Sequence, residues 1–240
     1  MSFLSHSQGV IIALAAPADD GPGNPWLSWR YVHDNADAIL AALRFHAGLT
    51  ARTVLIALVV AVPLAVIAYW VRPLTGPILA LSGILYTIPS LALLALLAPV
   101  LGTTSVASVL VALVLYALLV LVRNSLAGLT QVPDEVRDAA AGMGYGRFGR
   151  LWRIELPLAL PGIITGLRLA TVSTVALVTV GSLIGQGGLG DLILGGFRSN
   201  FYKAQILTGA ILCVALALVL DLILAGIGRL LTPWVRERKA

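Results

Sequence analysis

Two ionisable residues lie deep inside long apolar runs of this sequence. Arg168 is about ten residues into the run 158–183, and Asp221 is about ten residues from the far end of the run 206–230. A lone charge at the centre of a bilayer costs at least ~2.5–3.5 kcal/mol on insertion scales. Because the two runs are consecutive and antiparallel, an Arg168–Asp221 ion pair is predicted to hold the two helices in register.

The alternative is that Arg168 lines a path through the membrane. At 100° per residue, hydroxyl side chains share about half of the helix circumference with it. This polar stripe suits a wet interface, and it comprises Thr165, Thr171, Thr174, Thr179 and Ser182. The sequence leaves the choice between pairing and path lining open.

A short charged segment, residues 138–157 (DAAAGMGYGRFGRLWRIELP), separates two apolar runs. Pro133 followed by Asp134 and Glu135 is a helix-start signal, because proline suits the first turn and acids favour the positive end of the helix dipole. The helix is predicted to end near Met143, and Gly144 to turn the chain. A second short helix over 148–155 is predicted to end before Pro157.

The first of these helices carries a cluster of small residues. Ala139 and Ala140, followed by Gly144, would let the backbone of a partner approach closely. Arg147, Arg150 and Arg153 recur every three residues and favour contacts with acidic groups on a partner or with lipid headgroups. These residues suit a docking surface, and an ordinary solvated loop is the alternative.

A glycine-rich segment, GQGGLGDLI, follows the apolar run 158–183. Its four glycines do not make a nucleotide site, because no GxxxxGK[ST] motif is present and no strand precedes them. A tight external turn near the mouth of a pathway is predicted instead, with the gate segment formed by Gly185, Gly187, Gly188 and Gly190.

Residues that could catalyse a reaction do not converge in this sequence. The three histidines, His6, His33 and His46, all precede the first predicted span, and Cys213 lies in an apolar run as a packing residue. There is no HExxH motif and no carboxylate pair within an apolar run. The sequence therefore predicts no catalytic residue, no metal site and no cofactor of its own.

The composition indicates an integral membrane protein. The 240 residues are 59% hydrophobic and 11% charged, with a net charge of +5, whereas soluble domains carry about 25% charged residues. The basic residues lie beside apolar runs, as they do in membrane proteins, which argues against a nucleic-acid partner.

Five segments are long and apolar enough to cross a bilayer, which takes about 20 residues. They are 53–70, 78–101, 105–122, 158–183 and 206–230. Pro89 predicts a kink or break in the second of them, with Thr87 and Ser90 available to satisfy the freed carbonyl. Residues 26–46 mix charges with an apolar stripe, which predicts an amphipathic interfacial helix anchored by Trp26, Trp29 and Tyr31.

The chain is accordingly divided into an N-terminal tail with the interfacial helix (1–48), a transmembrane domain (49–232) and a basic tail (233–240). Arginines concentrate in 123–157 and in the tail. With five spans, these regions and Arg72 fall on one side, which the positive-inside rule assigns to the cytoplasm. The N-terminus and the glycine-rich segment are then outside.

Spacing within the charged segment resembles the cytoplasmic "EAA" loop of permease subunits of bacterial ABC importers. The matching positions are Asp138, Ala139, Ala140, Gly144, Ile154, Leu156 and Pro157. Asp138 departs from the glutamate usual in that family, and its reach is one methylene shorter.

Three further segments resemble the permeases of osmoprotectant importers, which take up glycine betaine, choline, carnitine or proline. They are the glycine-rich segment, IPSLA at 88–92 and VRN at 122–124. This resemblance implies the all-α, MetI-like fold of type I importers, with five transmembrane helices.

The resemblance also implies the partners. They are a dimer of ATPase subunits that binds ATP and Mg²⁺, a second permease subunit that is identical or paralogous, and an extracytoplasmic solute-binding protein. The site within 133–156 would couple the ATPase to the membrane helices, and the subunit would reside in the cytoplasmic (inner) membrane in contact with lipid. A permease for methionine or another amino acid is the alternative, and a passive channel or scaffold has no feature in its favour beyond the spans.

Overall fold

The computed structural model describes residues 24–102 and 105–234, and every regular element among them is helical. The predicted tail at the N-terminus up to residue 23 and the basic C-terminal residues 235–240 lie outside the described residues. The helices are α1 (Trp29–Asp34), α2 (Ala36–Trp70), α3 (Arg72–Thr87), α4 (Ser90–Leu101), α5 (Val106–Thr130), α6 (Asp134–Gly142), α7 (Arg147–Arg150), α8 (Leu156–Gly181), α9 (Leu189–Arg198) and α10 (Lys203–Leu231).

Among the described residues, four helical stretches are long and apolar enough to cross a membrane. They are Ala36–Trp70, Val106–Thr130, Arg147–Ile184 and Lys203–Leu231. Helices α3 and α4 are bent by 97° relative to each other. They would make a fifth span if the pair crosses the membrane as one bent unit. The all-α membrane fold predicted from the sequence is thereby confirmed, and the second predicted span is a broken one.

The break between α3 and α4 falls at Pro89. Ile88 adopts an extended conformation, as expected of a residue before proline. The Tyr116 hydroxyl on α5 donates a hydrogen bond to the Ile88 carbonyl. The Thr87 hydroxyl donates to the Ile84 carbonyl within α3 at 2.7 Å.

The amphipathic segment does not form a separate interfacial helix over 26–46. Only α1 stands apart, capped by the Ser28 hydroxyl, and residue 36 onward belongs to the 35-residue helix α2. The predicted division at 48/49 therefore falls inside one helix. No proline lies between the two parts, and Gly48 at the junction lowers the helix propensity without ending the helix.

Trp26 and Trp29 are exposed, as expected of interfacial anchors, but Tyr31 is buried. Its ring packs edge-on against Tyr202, with 5.4 Å between the ring centroids. Burial, together with the nearby Tyr202, raises the pKa of Tyr31 to about 12, so the phenol stays protonated at physiological pH. Tyr31 therefore ties α1 to the segment before α10 instead of anchoring it in lipid headgroups.

Helices α2, α5 and α8 form the centre of the subunit. Their contacts bury three successive apolar clusters, which contain Val109 and Val178 near one end, Leu121 and Ala170 in the middle, and Leu129 and Ala159 near the other end. Small residues bring α5 and α8 together, because a Cβ on Gly162 would lie 2.8 Å from the Gly128 Cα. Helix α10 packs on α8 and α9 at the periphery.

Candidate coupling site and intramembrane ion pair

Helix α6 begins where the sequence predicts. Pro133 occupies the N-cap position, and Asp134 and Glu135 lie in the first turn. Gly144 follows the helix with φ +83°, a conformation that an L-residue with a side chain rarely adopts. The prediction of a helix followed by a glycine turn is thus confirmed for the start of the helix and for the turn at Gly144.

The second part of the segment differs from its prediction. Helix α7 continues through a π-helical turn, Leu151–Glu155, into α8, so Arg147–Ile184 is one helical stretch. Within that turn the Leu156 N–H bonds to the Leu151 carbonyl. Pro157, the second residue of α8, directly follows this π-helical turn and does not end the helix.

The residues of α6 and its turn that are predicted to dock lie on two different faces. Asp138, Ala139 and Gly144 are exposed, whereas Ala140 is fully buried within the subunit itself. Asp138, Ala139 and Gly144 are therefore available to a partner. Ala140 instead lets α6 sit close to the rest of the chain, and a bulky residue there would displace the helix.

A chain of polar contacts ties α6 to α2 and α8. Arg137 is paired with Asp134 and donates to the Tyr69 hydroxyl at 2.8 Å. That hydroxyl donates to Glu155 Oε1 at 3.3 Å, and Arg150 Nε donates to the same oxygen at 2.9 Å. We call these residues the polar chain: Asp134, Arg137, Tyr69, Glu155 and Arg150.

Glu155 is the centre of this arrangement, because its carboxylate is fully buried. A buried charge is tolerated only when it is paired and hydrogen-bonded. Charge-assisted hydrogen bonds are stronger than neutral ones, so Arg150 and Glu155 hold the start of α8 to α7. The polar chain therefore connects α6 to the end of α2 and to the start of α8.

Helix α7 contacts the end of α2 through a second set of interactions. The Arg147 guanidinium lies 4.3 Å from the centroid of the Trp70 ring and donates to the Trp70 carbonyl at 3.1 Å. Phe148 packs edge-on against the same ring at 5.0 Å. Of the three arginines predicted to face a partner, Arg147 and Arg150 are engaged within the subunit, and Arg153 is exposed.

Ile154, Leu156 and Pro157 lie at the junction of the π-helical turn and α8. All three are half-buried, and Leu156 packs against the cluster that contains Leu129 and Ala159. They therefore join the segment to the membrane helices and do not form its exposed tip.

Arg168 and Asp221 form the ion pair that the sequence predicts. Arg168 Nε and Nη2 each donate to one oxygen of the Asp221 carboxylate at 2.7 Å, which makes the pair bidentate. It joins α8 to α10. Arg168 lines a groove of about 310 Å³ whose lining also includes Thr165 and Arg229.

Two of the four threonines in the predicted polar stripe do not face open space within the subunit. Thr171 and Thr174 are 4% and 2% exposed, respectively. Their hydroxyls donate to the carbonyls of Leu167 and Ala170, four residues earlier in α8. Arg168, with 40% of its side chain exposed, is more accessible than either threonine.

The glycine-rich segment forms a turn between α8 and α9. Gly185, Gly187 and Gly188 have positive φ angles. Gly190 is needed for a close approach, because a Cβ there would lie 2.7 Å from the Thr179 carbonyl oxygen. The turn is thus built for tight packing against the end of α8.

His46 precedes the first predicted span, and the sequence indicates no role for it. In the structure its side chain holds this turn. Its Nε2 is 3.0 Å from the Val175 carbonyl on α8, and its Nδ1 accepts from the Leu189 N–H at 3.3 Å. Donation from Nε2 and acceptance at Nδ1 fit the neutral imidazole. The side chain is fully buried, and it connects α2, α8 and the start of α9.

Comparison with known proteins gives a consistent assignment. Residues 47–237 match the family model described as "Binding-protein-dependent transport system inner membrane component". The chain is 34% identical to the "Glycine betaine/carnitine/choline transport system permease protein OpuCD" of Bacillus subtilis (strain 168), over 87% of this chain and 90% of that protein. It is 36% identical to the "Osmoprotectant import permease protein OsmW" of Salmonella typhimurium, over 85% and 96%.

A third relative is the "Choline transport system permease protein OpuBD" of Bacillus subtilis (strain 168), at 35% identity over 87% of this chain and 92% of that protein. Among solved structures, an inward-facing MetNI methionine ABC transporter has a TM-score of 0.76 at 22% identity, covering 83% of this chain and 98% of the other. At that identity the likeness shows the fold, which is the MetI-like fold predicted. The chain belongs to the family of binding-protein-dependent transport system inner membrane components, the permease subunits of ABC importers.

Proposed function

We propose that this chain is the membrane-spanning subunit of an ATP-driven importer for an osmoprotectant of the quaternary-ammonium class. Glycine betaine, choline and carnitine are the candidates, because the names of the three relatives cited above specify these solutes or osmoprotectants in general. The observation that carries the transport role is the polar chain, which connects the exposed helix α6 to two membrane helices.

In this proposal the exposed face of α6 docks on a separate ATPase subunit. ATP and Mg²⁺ bind to a dimer of that subunit, and this chain contributes no catalytic residue. Closure of the ATPase dimer moves α6, and the polar chain passes the movement to α2 and α8. The membrane helices then alternate between two arrangements, as rigid-body rocking around a central path requires.

The other partners follow from the family. An extracytoplasmic binding protein delivers the solute, and a second permease subunit, identical or paralogous, completes the path. The segment 133–156 and the C-terminus lie in the cytoplasm, and the N-terminus and the glycine-rich turn lie outside. This orientation rests on the arginines of 123–157, in line with the positive-inside rule.

The gate and the path are assigned to two regions. The glycine-rich turn, held by His46, is the external gate segment. The break at Pro89 and the polar side chains near Arg168 border the route of the solute. A quaternary ammonium has no N–H to donate, so selection is left mainly to aromatic rings of the binding protein, and the permease supplies the gated passage.

The test is solute uptake by vesicles that contain this chain, its ATPase and its binding protein. The panel comprises glycine betaine, choline, carnitine and proline betaine, with methionine as the test of the alternative. ATP-dependent accumulation of at least one quaternary amine, without methionine uptake, is expected. Uptake of methionine alone would replace the osmoprotectant assignment by the methionine alternative. The MetNI likeness supports that alternative through the fold only.

A further inference from the structure

Four arginines converge on a cavity of about 480 Å³ beside the polar chain. The cavity lies between the end of α2, the start of α3, α5 and the α6–α7 turn. Its arginines come from three separate helices, and they are Arg72, Arg137, Arg147 and Arg150.

The positive charge of this cavity is only partly neutralised. Arg137 pairs with Asp134 and Arg150 pairs with Glu155. Arg147 is held by the ring and carbonyl of Trp70, and within residues 24–102 and 105–234 Arg72 has no ion pair. Two positive charges therefore remain without a carboxylate, which favours an anionic ligand.

Arginine is well suited to bind such a ligand. Its guanidinium group binds phosphate with particular strength, because two parallel N–H donors match two oxygens of the anion. The side chains that line the cavity include four of these groups.

The position of the cavity indicates where such an anion would come from. Ala68 and Leu126 form an apolar part of the cavity wall. Trp70 is the last residue of the apolar helix α2, and tryptophan is enriched at the surfaces of membranes. Basic pockets between membrane helices on the cytoplasmic side bind phospholipid headgroups. We propose that the phosphate group of an anionic phospholipid binds here and fastens the α6–α7 turn to the end of α2.

The experiment measures lipid retention by the full chain with native mass spectrometry. The protein is exchanged into detergent, and phosphatidylglycerol is titrated against the zwitterionic phosphatidylcholine. Arg72→Gln and Arg147→Gln remove the two unneutralised charges. Arg153→Gln is the matched control, because Arg153 is exposed on the same helical stretch as Arg147 and does not line the cavity. Thermal unfolding checks that each variant is folded.

The wild type is expected to retain phosphatidylglycerol in preference to phosphatidylcholine. Each cavity variant should weaken that binding about fivefold, as expected for one basic residue near an anionic headgroup, and the control should not. If Arg147→Gln unfolds, Arg72→Gln alone decides the matter, since Arg72 makes no ion pair among the described residues. Equal retention of both lipids, or equal weakening by Arg153→Gln, would overturn the proposal.

A second arm separates the sources of phosphate. Inorganic phosphate is added to lipid-free protein, and binding is followed by thermal stabilisation. Stabilisation that depends on Arg72 and Arg147, without selective lipid retention, would overturn the lipid proposal and assign the cavity to free phosphate. Loss of ATPase-subunit binding in the cavity variants, with lipid and phosphate binding unchanged, would assign the arginines to that protein partner and contradict the proposal.

Discussion

Arg168 on α8 and Asp221 on α10 are joined by two parallel hydrogen bonds of 2.7 Å each. The residues are 53 positions apart, yet both occupy apolar runs in which an isolated charge is costly. The bidentate geometry fixes the rotation of α10 as well as its height relative to α8. This pair is the main polar connection that holds the peripheral helix α10 to the core helices.

Neutralising one member of this pair should destabilise the subunit. Asp221→Asn leaves Arg168 unpaired in an apolar environment, and we expect the unfolding temperature to fall. The loss should be smaller than that of a fully buried pair, because 40% of the Arg168 side chain is exposed in the subunit. Thermal unfolding in nanodiscs measures the effect.

The double variant Arg168→Met with Asp221→Leu should recover most of that loss, because no charge is then left unpaired. Arg229→Gln, on the same helix and exposed, is the control and should change little. A double variant no more stable than the worse single variant would show that the pair does not account for the cost.

The close contact of α5 with α8 depends on the absence of side chains. We expect Gly162→Ala to cost about 1–3 kcal/mol, the usual range for overpacking, because its Cβ would lie 2.8 Å from the Gly128 Cα. Gly48→Ala in α2 meets no atom within 4 Å and should be neutral or slightly stabilising. Comparable unfolding temperatures for the two variants would contradict the packing described here.

His46 should be required for the position of the glycine-rich turn. His46→Ala removes both of its hydrogen bonds and leaves the buried Leu189 N–H without its acceptor, a loss of about 1–3 kcal/mol. His33→Ala is the matched control, since the His33 side chain is 82% exposed. Hydrogen exchange at Leu189 should accelerate in the first variant only, and protection in both would remove His46 from this role.

Tyr69 connects Arg137 to Glu155, so Tyr69→Phe breaks the polar chain at one atom. The lost hydrogen bonds contribute on the order of 1 kcal/mol, and we expect ATP-driven uptake to fall roughly fivefold while the ATPase still binds. Tyr86→Phe keeps its ring contact with Tyr116 and should transport normally. Unchanged uptake by Tyr69→Phe would mean that movement reaches the membrane helices by another route.

Local sequence was sufficient to predict features whose cause is local. Pro133 with the acids after it located the start of α6, Gly144 located its turn, and Pro89 located the break between α3 and α4. The Arg168–Asp221 pair was also predictable, because two charges in adjacent antiparallel apolar runs have few other partners.

Features determined by contacts between distant residues were not predictable. Pro157 was expected to end a helix, but a π-helical turn before it lets the helix continue. Ala140 was assigned to the docking surface, but the fold buries it. Glu155 and His46 were passed over because their partners, Tyr69 and Val175, lie 86 and 129 residues away in the chain.

The most direct test of the account is ATP-driven uptake of glycine betaine after the exposed face of α6 has been blocked with Ala139→Trp. The control is Ala36→Trp, which changes an exposed alanine at the start of α2. The contact between α2 and α6 lies at the other end of that helix, at Tyr69. We predict that Ala139→Trp abolishes both ATPase binding and uptake while the subunit stays folded, and that Ala36→Trp transports normally. Undiminished uptake by Ala139→Trp, or accumulation of solute by this chain without ATP, would contradict the claim that α6 couples ATP hydrolysis to the membrane helices.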